Sequence, residues 1–442
     1  MDMDIIVFKS ALHQTSALDA RRQEAIRQHF AGRNLRFVDF EEGVEVTADA
    51  ACFIATGGTE ELFERIWERL PRPVALISDG YHNSFAAARE IASFLAQRGV
   101  EHTLVNLPME DGEDSPKPCA CAADGAPASY ACHDSDCSEK TSDTYASGAI
   151  NQADPRPASD LTPYSDERVQ KEQGGNGLDP YSDERVLKAL ASSRIGLIGG
   201  ASSWLISSGI DREAVCKHFG CEFVDIPISE VEAEYSATSS QKISDSAKTY
   251  SREALSDAER MYRALKAICG RYRLTALTIK CFDLLGTCHT TSCLALARLS
   301  DEGIISGCEG DIPSLWTLLV ARALSGRPAF MANPSSSCEA ACTIDFAHCT
   351  IPLSMCESYS LPSHFESGIG IGVAGIIAPG PCKLLKIGGP ALDRIYATEG
   401  KIVCNTHIAA RCRTQVRFRF PSPAEFSRFM DSRLGNHIIL YR

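Results

Sequence analysis

Two periodicities alternate along the first hundred residues. Short apolar runs at 5–8, 35–40, 51–55, 74–77 and 103–105 have the length of strands, and between them 18–30, 59–70 and 84–97 carry apolar positions at helical spacing. Such alternation predicts a parallel sheet flanked by helices, an α/β unit over 1–108. From about 109 to 185 the pattern stops and Asp, Ser, Ala, Pro, Gly and Glu dominate, so a linker or insertion is expected over 109–190. Order resumes with a strand at 194–198 that enters a Gly/Ser loop ending at Trp204. Ligands of open α/β sheets bind at such carboxyl ends of strands, which makes Trp204 a candidate substrate contact.

Helices are expected at 211–219 and 253–268, extended segments at 222–226 and 274–280, and a polar excursion at 235–249, giving a second α/β unit over 191–330. Thr291 or Ser292 can cap a helix reaching 301 that Gly303 closes in the left-handed conformation, and a helix over 314–325 ends at Gly326. Beyond Pro328, short apolar runs at 369–377, 382–387, 394–397, 401–403 and 414–420 are separated by turn residues. They predict a mostly β unit over 331–442, a small barrel or antiparallel sheet.

Composition narrows the partners. The chain of 442 residues is 44% hydrophobic and 23% charged, enough for two or three cores, with a formal charge of −13. That acidity, without long basic runs, argues against nucleic acid or an anionic membrane and for a small solute. No apolar segment reaches the roughly 20 residues of a membrane span, and Met1-Asp2-Met3-Asp4 lacks the basic flank of a signal peptide. Nineteen scattered cysteines in a large chain with no export signal favour reduced thiols and a cytoplasmic location.

Several features bear on chemistry. Gly57-Gly58 suits a strand-to-helix turn. Cys119, Cys121, Cys132, His133 and Cys137 have spacing too irregular for a zinc cluster, and the heptad Pro163–Val169, repeated as Pro180–Val186, is too short to stack a core. Glu309 lies among small residues just before a helix, where the helix dipole favours its ionised form, and His437 opens the last apolar run. A glutamate and a histidine delivered by separate loops suit a hard-to-borderline divalent cation. Cys308 and Cys349, beside Glu309 and His348, read as small buried apolar residues.

The residues from 194 to 442 resemble the superfamily of L-fucose and L-arabinose isomerases, and fucose-isomerase-like proteins within it. The resemblance rests on five ordered motifs: Ile198-Gly199-Gly200-Ala201-Ser202, Gly307-Cys308-Glu309-Gly310-Asp311, Ala347-His348-Cys349-Thr350-Ile351-Pro352, His364-Phe365-Glu366-Ser367-Gly368, and Gly435-Asn436-His437. It implies two Rossmann-like or flavodoxin-like α/β domains followed by a β-barrel domain, usually in a homo-oligomer. It also implies a manganese-dependent aldose–ketose isomerase, in which the metal acts as a Lewis acid toward O1 and O2 of the open-chain sugar and a carboxylate moves the proton between C1 and C2 through an enediolate.

Carried over by position, Glu309 corresponds to the ligand and catalytic glutamate, His437 to the C-terminal ligand histidine, and His348 to a further histidine at the metal or substrate. His364 and Glu366 fall where sugar hydroxyls would bind. Asn333 stands where fucose isomerases have a second ligand aspartate, 24 residues after the glutamate. Its oxygen can coordinate a cation, but the side chain is neutral and cannot take a proton; Asp311, Asp345 and Glu366 are the other carboxylates able to supply charge. Related isomerases continue well past the Gly-Asn-His motif, whereas this chain ends five residues after His437. Asn333 and that ending favour an alternative, a sugar-binding or regulatory homologue without turnover. For a sulfonated hexose such as sulfoquinovose, Arg411, Arg413 and Arg417 are the candidate anion contacts.

Overall fold

The computed structural model describes residues 2–11, 18–108, 179–240 and 249–442. The first copy of the repeated heptad and the cysteines at 119–137 lie outside the described residues. In chain order the first elements are β1 (Asp2–Phe8), α1 (Ala20–His29), β2 (Asn34–Asp39), β3 (Ala50–Ile54), α2 (Glu60–Glu64), β4 (Val74–Asp79), α3 (Ser84–Gln97) and β5 (His102–Leu107). The five strands form one parallel sheet in the order β2-β1-β3-β4-β5. Strands β1 and β3 are buried along nearly their whole length, as continuous apolar runs covered on both faces must be.

A second group follows: α4 (Glu184–Ala191), β6 (Arg194–Ile198), α5 (Arg212–Phe219), β7 (Glu222–Ile226), α6 (Ile228–Ala237), α7 (Arg252–Tyr272), β8 (Ala276–Ile279), α8 (Asp283–Thr287), α9 (Cys293–Asp301), β9 (Ile305–Gly307) and α10 (Ile312–Ser325). Its strands make a four-stranded parallel sheet in the order β7-β6-β8-β9. The last group is β10 (Phe330–Cys338), β11 (Thr343–His348), β12 (Ser358–Ser360), β13 (Ala374–Ile376), β14 (Gly380–Gly388), β15 (Arg394–Asn405), β16 (Thr414–Arg419), α11 (Pro423–Asp431) and β17 (Ile438–Tyr441). Six of these strands close an antiparallel barrel in the order β10-β11-β16-β15-β14-β17.

The chain is therefore mixed α/β, with parallel sheets followed by a closed barrel, as the alternation of periods predicts. The differences have local causes. The helix expected over 59–70 breaks after Glu64 and resumes as a 3-10 turn at Trp67–Arg69. The stretch read as linker is folded from Asp179 onward: Asp183 caps α4 by accepting from the Arg185 amide, and Val186 and Leu190 are buried. Strands β10 and β11 were not expected, because the small and polar run Asn333-Pro334-Ser335-Ser336-Ser337 of β10 hides its period behind a bulge at Pro334/Ser336. Helix α11 also lies in the region read as β. Two predicted strands at 394–397 and 401–403 are one, since β15 runs across Glu399 and Gly400.

The barrel interior is filled by Phe330, Ile344, Phe346, Leu384, Ile402, Phe418 and Leu440, against which α11 plugs Phe426 and Phe429. Helix α10 is buried from Ile312 to Ala321 because it packs on both the second sheet and the barrel, sharing one core with Leu385, Ile387 and Ile439. The first sheet is fastened to the barrel by polar groups. The buried Arg89 donates to the Phe429 and Ser432 carbonyls and stacks 4.4 Å from the Phe429 ring centroid, and Arg411 donates to the Gly80 carbonyl at 2.7 Å. Among the described residues no helix is long and apolar enough to cross a membrane.

Glu60, at the start of α2, is 1% exposed, and its Oε2 has no hydrogen-bond partner among the described residues. Burial first, and then the like charge of Glu90, push its carboxyl up to about 8 from an ordinary 4.5. Between those values the folded state holds a proton that the unfolded state releases, so this contribution to stability is complete below the unfolded value and is lost as pH rises through about 8. Chemical denaturation of wild type and Glu60→Gln is expected to diverge by up to about 1.4 kcal/mol per pH unit over that window, in favour of the variant at high pH. Parallel curves would contradict this.

Candidate metal and substrate site

Glu309 owes its position to an uncommon backbone. It has φ +60°, a left-handed conformation that costs a non-glycine residue roughly 1–2 kcal/mol, and Gly310 follows at φ +63°. A Cβ on Gly310 would lie 2.9 Å from both the Gly200 carbonyl oxygen and the Ser202 amide, so only glycine lets the loop after β9 pack on the loop after β6. The Gly310 amide donates to the Ile279 carbonyl at 3.0 Å, pinning the turn to the end of β8. The turn leaves the Glu309 side chain 14% exposed, at the carboxyl edge of the second sheet.

Two residues on, Asp311 caps α10 by accepting from the Ser314 amide at 2.8 Å and the Ser314 hydroxyl at 2.6 Å. The same carboxylate takes the Nδ1 proton of His437 at 2.8 Å. Lys386, on β14, is fully buried; its ammonium donates to Ser314 Oγ at 2.8 Å and stands 3.7 Å from Asp311 Oδ2. Burial drives the Asp311 carboxyl up, but Lys386 and His437 outweigh it and hold it well below the usual carboxylate range. His437 itself is fully buried. With Nδ1 committed to Asp311, its Nε2 points toward Glu309 Oε1 at 3.6 Å, beyond hydrogen-bond reach, and has no partner among the described residues. Burial pulls the His437 imidazole down, but the charge of Glu309 and the hydrogen bond to Asp311 outweigh it and push it up to about 9. With its far nitrogen held by a carboxylate and its near nitrogen unpartnered in a buried site, the ring is oriented as a metal ligand once that near nitrogen loses its proton.

His348, at the end of β11, has the opposite arrangement. Its Nδ1 accepts the Thr350 amide at 3.2 Å, so the ring proton sits on Nε2, 3.3 Å from Glu309 Oε1. Burial raises the Glu309 carboxyl, but the charge of His437 and the hydrogen bond from His348 hold it far below its ordinary value, so it stays ionised. Cys308, Glu309 and His348 together present ligand atoms all within 4.8 Å of one another, an arrangement that can hold a metal ion. Of the two histidines near Glu309, His437 has its near nitrogen unpartnered, whereas His348 donates from its near nitrogen.

Asn333 lies between the two histidine-bearing strands: it pairs with Ala347, next to His348, and its neighbour Ala332 pairs with Ile438, next to His437. It is 2% exposed, with an unpartnered Oδ1. Thr350 Oγ1 and Asn436 Oδ1, near the two histidines in the chain, and Ser202 Oγ, on the loop packed against Gly310, are also buried and without a partner among the described residues. Glu309 and His348 border a narrow cleft together with His364, Glu366, Phe282 and Asn83. His364 is tied through Nδ1 to Ser367 Oγ at 2.9 Å, and burial lowers its pKa, so the ring is neutral. Asn83, from the first sheet's side, donates to Glu366 Oε1 at 2.5 Å. Trp204 does not line the cleft; it packs edge-on against Phe282, which does, at 5.7 Å between ring centroids.

Two sequence expectations are corrected here. Arg411 and Arg417 both spend their guanidinium groups on the buried Asp345, at 2.8 and 2.6 Å, so neither is available for a sulfonate and Asp345 is not available for a metal. Sequence reasoning missed Lys386, although one lysine inside Leu384-Leu385-Lys386-Ile387 was a visible break in an apolar strand. It also missed Asn83 and Phe282, whose sequence neighbourhoods carry no signal of chemistry.

Replacing Asp311 by Asn leaves Lys386 buried without its carboxylate, and the expected loss is about 3–5 kcal/mol in chemical denaturation. Adding Lys386→Met to that variant should cost less than the sum of the single changes. Additive losses would show that the two charges do not act as a pair.

No family model matches the chain. It is similar to a sulfoquinovose isomerase from Clostridium sp. (strain MSTE9), 33% identical over 91 residues, a match that spans 20% of this chain and 20% of that protein. The chain thus covers about a fifth of its relative's length, and the similarity gives a coarse link to sugar isomerases.

Proposed function

We propose that this protein is a divalent-metal-dependent aldose–ketose isomerase of the fucose/arabinose isomerase superfamily, acting on a monosaccharide. In this reading the two parallel sheets are its Rossmann/flavodoxin-like domains, and the chain works as a cytoplasmic homo-oligomer. The observation that carries it is the pairing of an ionised Glu309 with the unpartnered, buried Nε2 of His437. Glu309, His437 and the unpartnered Oδ1 of Asn333 are the residues that would hold the ion, and this oxygen-and-nitrogen donor set suits Mn2+. When bound, the ion supplies Lewis acidity toward the carbonyl and hydroxyl oxygens of the open-chain sugar.

The chain's own residues supply the rest. Glu309, kept ionised by the two histidines, is the base that takes the C2 proton and returns it to C1. His348 presents its Nε2 proton on the same side as that carboxylate and can donate to it or to a sugar oxygen. Neutral His364 and Glu366 border the cleft as hydroxyl partners. The similarity to a sulfoquinovose isomerase supports a sulfonated hexose as one substrate class beside fucose-like and arabinose-like sugars. Of the three arginines considered for its anion, Arg413 alone contacts neutral partners, the Ser363 carbonyl and hydroxyl. The second reading, sugar binding without turnover, is favoured by neutral Asn333 in place of a second ligand carboxylate.

Proton NMR of a panel of aldoses in heavy water separates the two. Isomerisation predicts Mn2+-dependent loss of the C2 proton signal from at least one sugar, abolished by chelator and by Glu309→Gln. No exchange, with a sugar still raising the melting temperature, would establish the binding reading. Asp311→Asn, which removes the partner of His437 Nδ1, should weaken Mn2+ binding by about 10–100-fold in calorimetry. An unchanged affinity would remove His437 from the ligand set.

A further inference from the structure

The cleft beside Glu309 is walled by sulfur. Cys281, Cys293, Cys308, Cys349 and Cys412 all border it, and each is a buried free thiol. Two of them sit at neighbouring strand ends. Cys281 follows β8 by two residues and Cys308 follows β9 by one, and their sulfurs are 3.3 Å apart. Cys308 also presents its sulfur within 4.8 Å of the Glu309 carboxylate. The backbone fixes this corner, since the Ile279 carbonyl accepts from both the Cys281 amide at 2.8 Å and the Gly310 amide at 3.0 Å. The ligand set assigned to Mn2+ uses none of these sulfurs, and thiolates prefer a different class of ion.

We propose that Cys281, Cys308 and the Glu309 carboxylate form a second cation site, selective for a thiophilic divalent ion of the Zn2+ and Cd2+ class and open on its fourth side to the cleft. Two sulfurs bound to one tetrahedral ion at about 2.3 Å lie roughly 3.8 Å apart, so the pair has to separate by only about half an ångström. As each metal–sulfur bond forms, the thiol gives its proton to solvent, and no oxidant or reductant takes part. His348 is left outside the set, because Nδ1 accepts from the Thr350 amide and the ring proton therefore occupies Nε2, the nitrogen that faces Glu309. The site shares Glu309 with the ligands proposed for Mn2+ but does not depend on whether the protein turns over a sugar.

The test is a Cd2+ titration of the reduced, metal-free full chain under anaerobic conditions, followed by sulfur-to-cadmium charge-transfer absorption. Four further cysteines at 119, 121, 132 and 137 are replaced by serine throughout, so that they cannot bind the probe. The expected result is a charge-transfer band that saturates at one equivalent and is lost in both Cys281→Ser and Cys308→Ser. Cys269→Ser, a change of a buried cysteine in α7 that does not border the cleft, should leave the band intact. Glu309→Gln should keep the band and lower cadmium affinity at least tenfold. Should a serine variant fail to fold, peptide mass spectrometry after alkylation reads the same site, with one equivalent of Cd2+ protecting Cys281 and Cys308. No band, a band that survives either serine variant, unprotected thiols, or an affinity indifferent to Glu309→Gln would each overturn the proposal. Failure of the isomerase reading shows instead as absent C2 exchange, so the two outcomes are distinguishable.

Discussion

Four groups converge on the carboxylate of Asp311: the Ser314 amide and hydroxyl, the Nδ1 proton of His437, and the buried ammonium of Lys386. That carboxylate caps α10, the helix between the second sheet and the barrel, and it fixes the orientation of the last histidine in the chain. It is also one half of a fully buried charge pair. An Asp and a Lys out of water are stable only together and only when hydrogen-bonded, so the helix cap, the barrel strand carrying Lys386 and the loop carrying His437 hold one another in register. Removing any member leaves a buried polar group without its partner, and the effect falls on the Nε2 that faces Glu309.

The other constraint is the turn at Glu309. Left-handed backbone at a glutamate is unfavourable by itself, and it persists because Gly310 is wedged against the loop after β6 and hydrogen-bonded to β8. The side chain is thereby held at a sheet edge, where it meets two histidines supplied by two barrel strands. Three separate regions of the chain thus contribute: the second sheet gives Glu309, the barrel gives His348, His437 and Asn333, and the first sheet's side gives Asn83 to Glu366. The strain is local, and packing between layers sustains it.

Much of this was legible in the sequence, for identifiable reasons. The alternation of apolar runs and helical periods marks the parallel sheets because their strands are buried on both faces, and Ser84–Gln97 and Glu222–Ile226 were placed to the residue. Glu309 and His437 stood out as polar residues in small or apolar surroundings, while His348, His364 and Glu366 came from the family resemblance, and the structure brings Glu309 within 3.6 Å of both His348 and His437. The hydrogen bonds that orient the two rings were not legible, since Asp311 reaches His437 only through the tertiary fold and the Thr350 amide reaches His348 only through the turn after β11. The engagement of Arg411 and Arg417 with Asp345 was hidden for the same reason: β11 and β16 had to be paired before the two charges could be seen to meet. Strand β10 was missed because its serines and bulge erase the period-two signal.

The central claim is that His437, and not His348, is the histidine prepared to bind a divalent ion. Pulsed electron paramagnetic resonance of the protein with one equivalent of Mn2+ reads directly bound imidazole nitrogen through its coupling to the metal. The account predicts one coordinated imidazole, lost in His437→Gln and retained in His348→Gln. A nitrogen coupling that survives His437→Gln and disappears in His348→Gln would contradict it.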